Sequence, residues 1–248
     1  MNWLSAVASG SVCWPSESCQ NAPWSGVGAQ VKVHRPYTIN EKIAHAVSHG
    51  VAAVASIVGL AVLVAYASLY GSMLHVVAVS IFGGSLILLY TASTLYHSIP
   101  IPAAEPVLHT LDHAAIYVLI AGTYTPFALV CLEGAVRWWL FGLVWSMALA
   151  GVIFKLFFTG RFDKLSVGLY LAMGWLVVAF AKPVLEAVPL AGLAWLAAGG
   201  VSYTVGAAFY LWRSLPYNHT IWHVFVVLGS VLQYLAVLWY VVPGPPAA

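Results

Sequence analysis

The sequence predicts an all-α protein, an integral membrane bundle of seven transmembrane helices with its N-terminus in the cytoplasm. Three observations predict it. Charged residues make up only 6% of the chain, against roughly 25% in soluble globular domains. Hydrophobic residues reach 62%, and no Asp, Glu, Lys or Arg occurs between Ile43 and Ala104. Finally, seven apolar stretches follow one another, each close to the ~20 residues that cross the hydrocarbon core as a helix.

In order, the chain opens with residues 1–34, a Ser/Gly/Trp-rich segment that reads as a flexible tail. It lacks a basic region ahead of an apolar core, so a cleaved signal peptide is not expected. The spans fall at roughly 43–68, 72–96, 110–131, 137–157, 165–184, 189–212 and 219–242. Ser68–Ser72 forms the turn between the first two, and the Pro-rich break Ile99–Pro102 precedes the third. These stretches are apolar all round, whereas a β-barrel would alternate polar and apolar residues over segments of ~10. A helix also satisfies its own backbone groups where no water is available. Residues 35–242 thus form the transmembrane domain, and 243–248 a C-terminal tail.

Orientation follows from the basic residues. With the N-terminus inside, Lys32, Arg35, Lys42, Lys155, Arg161, Lys164 and Arg213 lie on the cytoplasmic side, and only Arg137 and Lys182 lie opposite. That is the positive-inside bias. The net charge of +2 is too small and scattered to indicate a nucleic-acid partner. Cys13, Cys19 and Cys131 show neither zinc-finger nor CxxC spacing and read as unremarkable thiols.

Ionisable groups at membrane depth cost at least ~2.5 kcal/mol at the centre of a span and so call for a functional account. Four sets stand out: Ser93 with His97, Asp112 and His113 with His109 before them, His219 with His223, and Glu41 with His45 and His49. A spacing of four puts members of a set on one helical face. Helices 1, 3 and 7 start, and helix 2 ends, on the cytoplasmic side, so all four sets converge at one membrane level. Of the nine histidines, only His75 falls at the other face. Each set taken alone also reads as an interfacial anchor or a helix-packing group.

Taken together they suggest a metal. Neutral imidazoles suit Zn2+, and two His at i and i+4 can share one ion. His97 adds a third nitrogen to His219 and His223, leaving a fourth position for water, whose pKa can then fall to ~7. The motif is not HExxH, so a base must come from another helix, and Asp112 is the candidate. Ser93, one turn before His97, can orient the water or polarise a substrate carbonyl.

The runs Ser93-Thr94-Leu95-Tyr96-His97, Leu111-Asp112-His113-Ala114-Ala115-Ile116-Tyr117, Ala121-Gly122-Thr123-Tyr124-Thr125-Pro126-Phe127 and Asn218-His219-Thr220-Ile221-Trp222-His223 resemble a known family. It is the hemolysin III-like proteins, within the progestin and adipoQ receptor group and the wider alkaline-ceramidase-like membrane hydrolase superfamily. The segment from Glu41 to Gly50 looks like the family's opening motif, and the resemblance spans roughly residues 35–242. It implies Zn2+ held near the cytoplasmic face by His97, His219 and His223, with Asp112 contacting it through water and Ser93 behind. Members of the superfamily cleave lipid amides. The Ser98–His109 connection departs from the pattern, carrying Glu105 where basic residues are expected.

Three functions follow as expectations. The first is a zinc-dependent hydrolase of lipid amides or esters in the cell inner membrane, its substrate drawn from the membrane lipids. The second is a non-enzymatic zinc-stabilised receptor or regulator of lipid state, and the third a pore-forming cytolysin. Oligomeric state, the lipid, and the role of Glu41, His45 and His49 stay open.

Overall fold

The computed structural model describes residues 37–244. The expected N-terminal tail, with Cys13, Cys19 and Lys32, lies outside the described residues, as do Arg35 and Pro36 and positions 245–248 of the C-terminal tail. Helices α1 (Ile39–Tyr70), α2 (Met73–Ser98), α3 (Glu105–Pro126), α4 (Gly134–Phe158), α5 (Asp163–Gly174), α6 (Ala181–Ala187), α7 (Leu190–Leu211) and α8 (Asn218–Tyr240) follow in order. With α5 and α6 joined into one span, seven helices are long and apolar enough to cross a membrane. The chain is a multi-pass integral membrane protein of the expected all-α class.

Capping defines where the first spans begin and end. Thr38 accepts the Glu41 N–H at 3.3 Å, and the Glu41 carboxylate accepts the Thr38 N–H at 2.8 Å. This reciprocal box satisfies two of the donors that a helix start leaves free. Helix α1 runs on to Tyr70, so the expected turn shortens to Gly71 and Ser72. At the start of α2, the Ser72 N–H donates to His75 Nδ1 at 3.2 Å, which makes His75 a cap.

Two helices break inside the membrane. Pro126 has no N–H, and the chain after it widens into a π-turn, Phe127–Cys131, closed by the Leu132 N–H on the Phe127 carbonyl at 3.3 Å. The fifth span breaks at Gly174 into a 3-10 turn, Trp175–Phe180. Tyr124 of α3 satisfies the groups that this break releases. Its hydroxyl donates to the Gly174 carbonyl at 2.7 Å and accepts the Val177 N–H at 2.9 Å. Without water, such a break persists only where protein groups replace the lost bonds.

Helix α1 packs along α2, α2 on α3, α3 on α4 and α7 on α8, and α1 also closes on α8. Helix α5 contacts α3, α4 and α7 more sparsely. The buried side of α1 carries Glu41, His45, His49 and Ser56, while Val47, Val51, Val54 and Val58 face outward. Polar groups inside and apolar groups outside suit lipid as the solvent. In lipid, close packing rather than apolar transfer holds helices together, so small residues mark the contacts. A Cβ on Gly83 would lie 2.9 Å from Leu60 Cβ, and one on Gly199 would lie 3.1 Å from the Gly229 carbonyl oxygen. Both glycines thus serve helix contacts within the chain.

Lys155, counted among the basic residues of the cytoplasmic side, is wholly buried, one turn from the end of α4.

Candidate metal centre

The end of the bundle where α1, α3, α5 and α8 begin, and α2, α4 and α7 finish, gathers the ionisable residues. His219 and His223 lie on consecutive turns of α8, and His97 lies in the last turn of α2. Their ring nitrogens come within 4.8 Å of one another. The geometry thus brings together the three predicted ligands from two helices far apart in sequence.

Local bonds set the register of α8. Tyr217, just before it, adopts a left-handed backbone at φ 57°, which is uncommon for a residue with a bulky side chain. Its N–H donates to the Glu41 carboxylate at 3.0 Å. The Asn218 amide donates to the Tyr210 carbonyl at 3.1 Å, covering the C-terminal end of α7. Arg213, just past α7, and Asp163, the first residue of α5, pair at 2.7 Å. That pair is partly exposed and so contributes little stability, ~0–1 kcal/mol for such a bridge.

His223 Nδ1 lies 3.3 Å from the His45 carbonyl and 3.1 Å from Ser48 Oγ. Because a carbonyl only accepts, Nδ1 carries the ring hydrogen and Nε2 keeps its lone pair, the form a metal ligand needs. No hydrogen-bond partner among the described residues meets His97 Nε2, either nitrogen of His219, or either nitrogen of His45 and His49. Buried polar atoms in this state cost energy unless a partner completes them. A cation at the three-histidine centre would supply that partner for His97 Nε2 and one nitrogen of His219, and the donor set fits Zn2+, which takes neutral imidazole nitrogens.

Helix α1 contributes more than the sequence indicated. The His45 ring centroid lies 4.9 Å from that of His97, 4.7 Å from His219 and 5.5 Å from His223. His49 stacks on His223 at 3.5 Å with the planes 8° apart. Both therefore touch the candidate ligands, whereas Glu41 acts on the backbone that carries them. Tyr37, which sequence reasoning missed, places its ring 4.9 Å from His45 and 5.8 Å from His219. Burial pushes the Tyr37 phenol above its ordinary pKa, which keeps the hydroxyl protonated. Only its position just ahead of the Glu41 motif could have flagged it.

His109 and His113 take the packing role. His113 Nδ1 donates to the His109 carbonyl at 3.0 Å, and His109 stacks on Tyr96 at 5.0 Å. Asp112 and Ser93 are buried and line the same cavity as His219 and His223. The Ser93 hydroxyl lies near the Asp112 carboxyl but makes no well-formed hydrogen bond to it.

That cavity has a volume of about 120 Å³ and mostly apolar walls, including Leu89, Ile116, Leu119 and Val226. A second cavity, of about 140 Å³, shares Thr123, Tyr124, Gly174, Trp175, Gly200 and Gln233 with it and reaches Leu132 and Val188 near the opposite membrane face. The broken fifth span runs beside both.

A polytopic membrane protein with a buried histidine cluster beside a mostly apolar cavity is the class that fold and site define. The family described as Haemolysin-III related matches residues 37–234, and the chain belongs to it. It is 48% identical to Hemolysin-3 of Bacillus cereus over 205 residues, covering 83% of this chain and 94% of that protein. To the Hemolysin-3 homolog of Bacillus subtilis (strain 168) it is 46% identical over 209 residues, 84% of this chain and 98% of the relative. The Monocyte to macrophage differentiation factor of Homo sapiens is 28% identical over 221 residues, 84% of this chain and 87% of that protein.

Proposed function

We propose that this protein is a zinc-dependent hydrolase of lipid amides or esters, set in the cell inner membrane with its histidine cluster facing the cytoplasm. Residues 35–242 form the working domain in this reading. One observation carries it: three imidazoles that offer ligand nitrogens within 4.8 Å of one another, with His97 Nε2 and both nitrogens of His219 lacking a partner among the described residues, and with His219 and His223 lining an apolar cavity that also holds Asp112 and Ser93. A metal binder with no substrate would have no need for an acid and an apolar cavity at its side.

His97, His219 and His223 would hold the ion. Zinc on three histidines supplies Lewis acidity toward a carbonyl and activates water at neutral pH. The chain's own residues do the rest. The cavity seats the acyl chain and excludes bulk water, and Ser93 orients the polar group that enters beside Asp112. Asp112 takes a proton from the attacking water and delivers it to the leaving amine. The water oxygen bonds to the carbonyl carbon, the C–N bond breaks, and acid and amine depart.

Metal content per purified chain tests this first. About one zinc is expected in wild type, as a single three-histidine site requires, with loss in His97→Ala, His219→Ala and His223→Ala. Asp112→Asn should retain metal and lose lipid-amide hydrolysis. A metal-free wild type, prepared without chelator, would overturn the proposal.

His45 favours a second reading. The ring centroids of His45, His97, His219 and His223 are 4.6–5.5 Å apart in every pairing. His45 is not one of the three residues whose ligand nitrogens come within 4.8 Å of one another, but a turn of its ring toward them would give a closed, structural ion that pins α1, α2 and α8 and leaves no position for water. His45→Ala separates the two: an open catalytic site keeps its zinc, and a closed four-histidine site loses it. A pore reading draws no support from cavity walls that are mainly apolar.

A further inference from the structure

Lys155 is one of the largest fully buried side chains in the protein. It lines the same cavity as His219, His223 and Asp112, and its Nζ has no hydrogen-bond partner among the described residues. A lysine at the end of a membrane helix normally reaches out to the headgroups. This one turns inward. A buried ammonium without a partner is costly, and an anion delivered by a ligand would offset that cost.

Among the described residues no carboxylate forms an ion pair with Lys155, although Asp163 lines the same cavity. Asp163 is taken by Arg213 at 2.7 Å. Asp112 lies beside Ser93 and 3.9 Å from His113, and no ion pair joins it to Lys155 among the described residues. The cavity is therefore polarised along its length. Lys155, Ser166 and the histidines stand at the end where α4 finishes and α5 begins, while the apolar extension past Trp175 and Gly200 runs toward Leu132. A long chain lying in the extension brings its head group to the level of Lys155.

We propose that Lys155 is an anion-binding subsite, and that the ligand is a long-chain amide whose amine-side head group carries an acidic group, a carboxylate or a phosphate. The amide part rests on the hydrolase reading above; the anion subsite does not. Such a ligand places its carbonyl by the three histidines, its chain in the apolar extension and its acid on Lys155. A neutral amide of the same length leaves Lys155 unpaired and binds less well for that reason.

A matched pair of probes reads this directly. Binding of N-oleoylglycine and of N-oleoylethanolamine is measured calorimetrically on the detergent-purified full chain, with 1-oleoyl lysophosphatidic acid as the phosphate arm. In wild type the acidic amide should bind about tenfold or more tightly than the neutral one, as a charge-assisted hydrogen bond implies. Lys155→Met should bring that ratio to about one while leaving the neutral probe's affinity unchanged. Lys155→Arg should restore the preference. Preference for lysophosphatidic acid over N-oleoylglycine assigns the subsite to phosphate, and the reverse assigns it to carboxylate.

A wild-type ratio near one, or a ratio that survives Lys155→Met, overturns the proposal. If Lys155→Met loses both probes, Lys155→Arg decides: a retained preference supports the subsite, and a lost one overturns it. Because the ratio needs neither turnover nor zinc, it stands if the hydrolase reading fails. Conversely, loss of the ratio in zinc-loaded protein removes the anion subsite alone.

Discussion

The carboxylate of Glu41, on the first helix, accepts the backbone N–H of Tyr217 at 3.0 Å, immediately before the helix that carries His219 and His223. The same carboxylate closes the cap of its own helix on Thr38. One side chain therefore sets the start of α1 against the start of α8.

Removing that carboxylate should loosen both helix starts together. Glu41→Ala leaves the part-buried Tyr217 N–H without its partner, at a cost of about 1 kcal/mol, and the left-handed backbone at Tyr217 loses its restraint. The expected result is a lower thermal midpoint with reduced metal content. Glu41→Gln, which keeps one acceptor, should lose less. A Glu41→Ala protein with wild-type midpoint and metal content would show that Asn218 alone holds the start of α8.

Ser48 bonds to the His45 carbonyl at 2.9 Å and lies 3.1 Å from His223 Nδ1. Groups that orient a metal-bound histidine typically affect affinity about 10–100-fold when removed. Ser48→Ala should weaken zinc binding by about tenfold, read by competition with a chromophoric chelator. Unchanged affinity would mean that the His45 carbonyl is enough to hold the ring.

Zinc removal should destabilise the protein through the helices that it joins. Ligand bound only to the folded state stabilises by about 3 kcal/mol at a hundredfold excess over Kd. A strong chelator is therefore expected to lower the thermal midpoint of wild type and to leave that of His219→Ala unchanged. An equal shift in both would trace the effect to the chelator itself.

Tyr124 holds the break in the fifth span. Tyr124→Phe removes the acceptor for the Val177 N–H and the donor to the Gly174 carbonyl. With no water at that depth, the loss should cost about 1–3 kcal/mol per unsatisfied group. Faster amide exchange at Val177, with α8 unaffected, is the expected signature. Equal exchange in mutant and wild type would place the restraint on Trp175, whose indole donates to Thr204 at 3.0 Å.

Much of this was legible beforehand, for a physical reason. Hydrophobic length determines where each span begins and ends, and the His and Asp spacings determine which residues share a helix face. His97, Asp112, His219 and His223 could therefore be assigned to one membrane level from the sequence. His109 and His113 could only be left between ligation and an anchoring or helix-packing role, and the bonds they make decide for packing, while His75, placed at the other face, caps α2. The role of Glu41 was open because its partner, the Tyr217 N–H, is a backbone group with no mark in the sequence.

What the sequence by itself determined, then, is position along the membrane normal: seven helices, their order, and the depth at which each ionisable residue lies. Lateral neighbours came only from the tertiary structure. Every side of an apolar helix is acceptable to lipid, so its rotation is chosen by packing against other helices rather than by hydropathy. That choice turned Lys155 inward to the cavity, and it set His45 and His49 against the rings of the other histidines. It also brought the Tyr124 hydroxyl to a break in another span, where only a protein group could replace water.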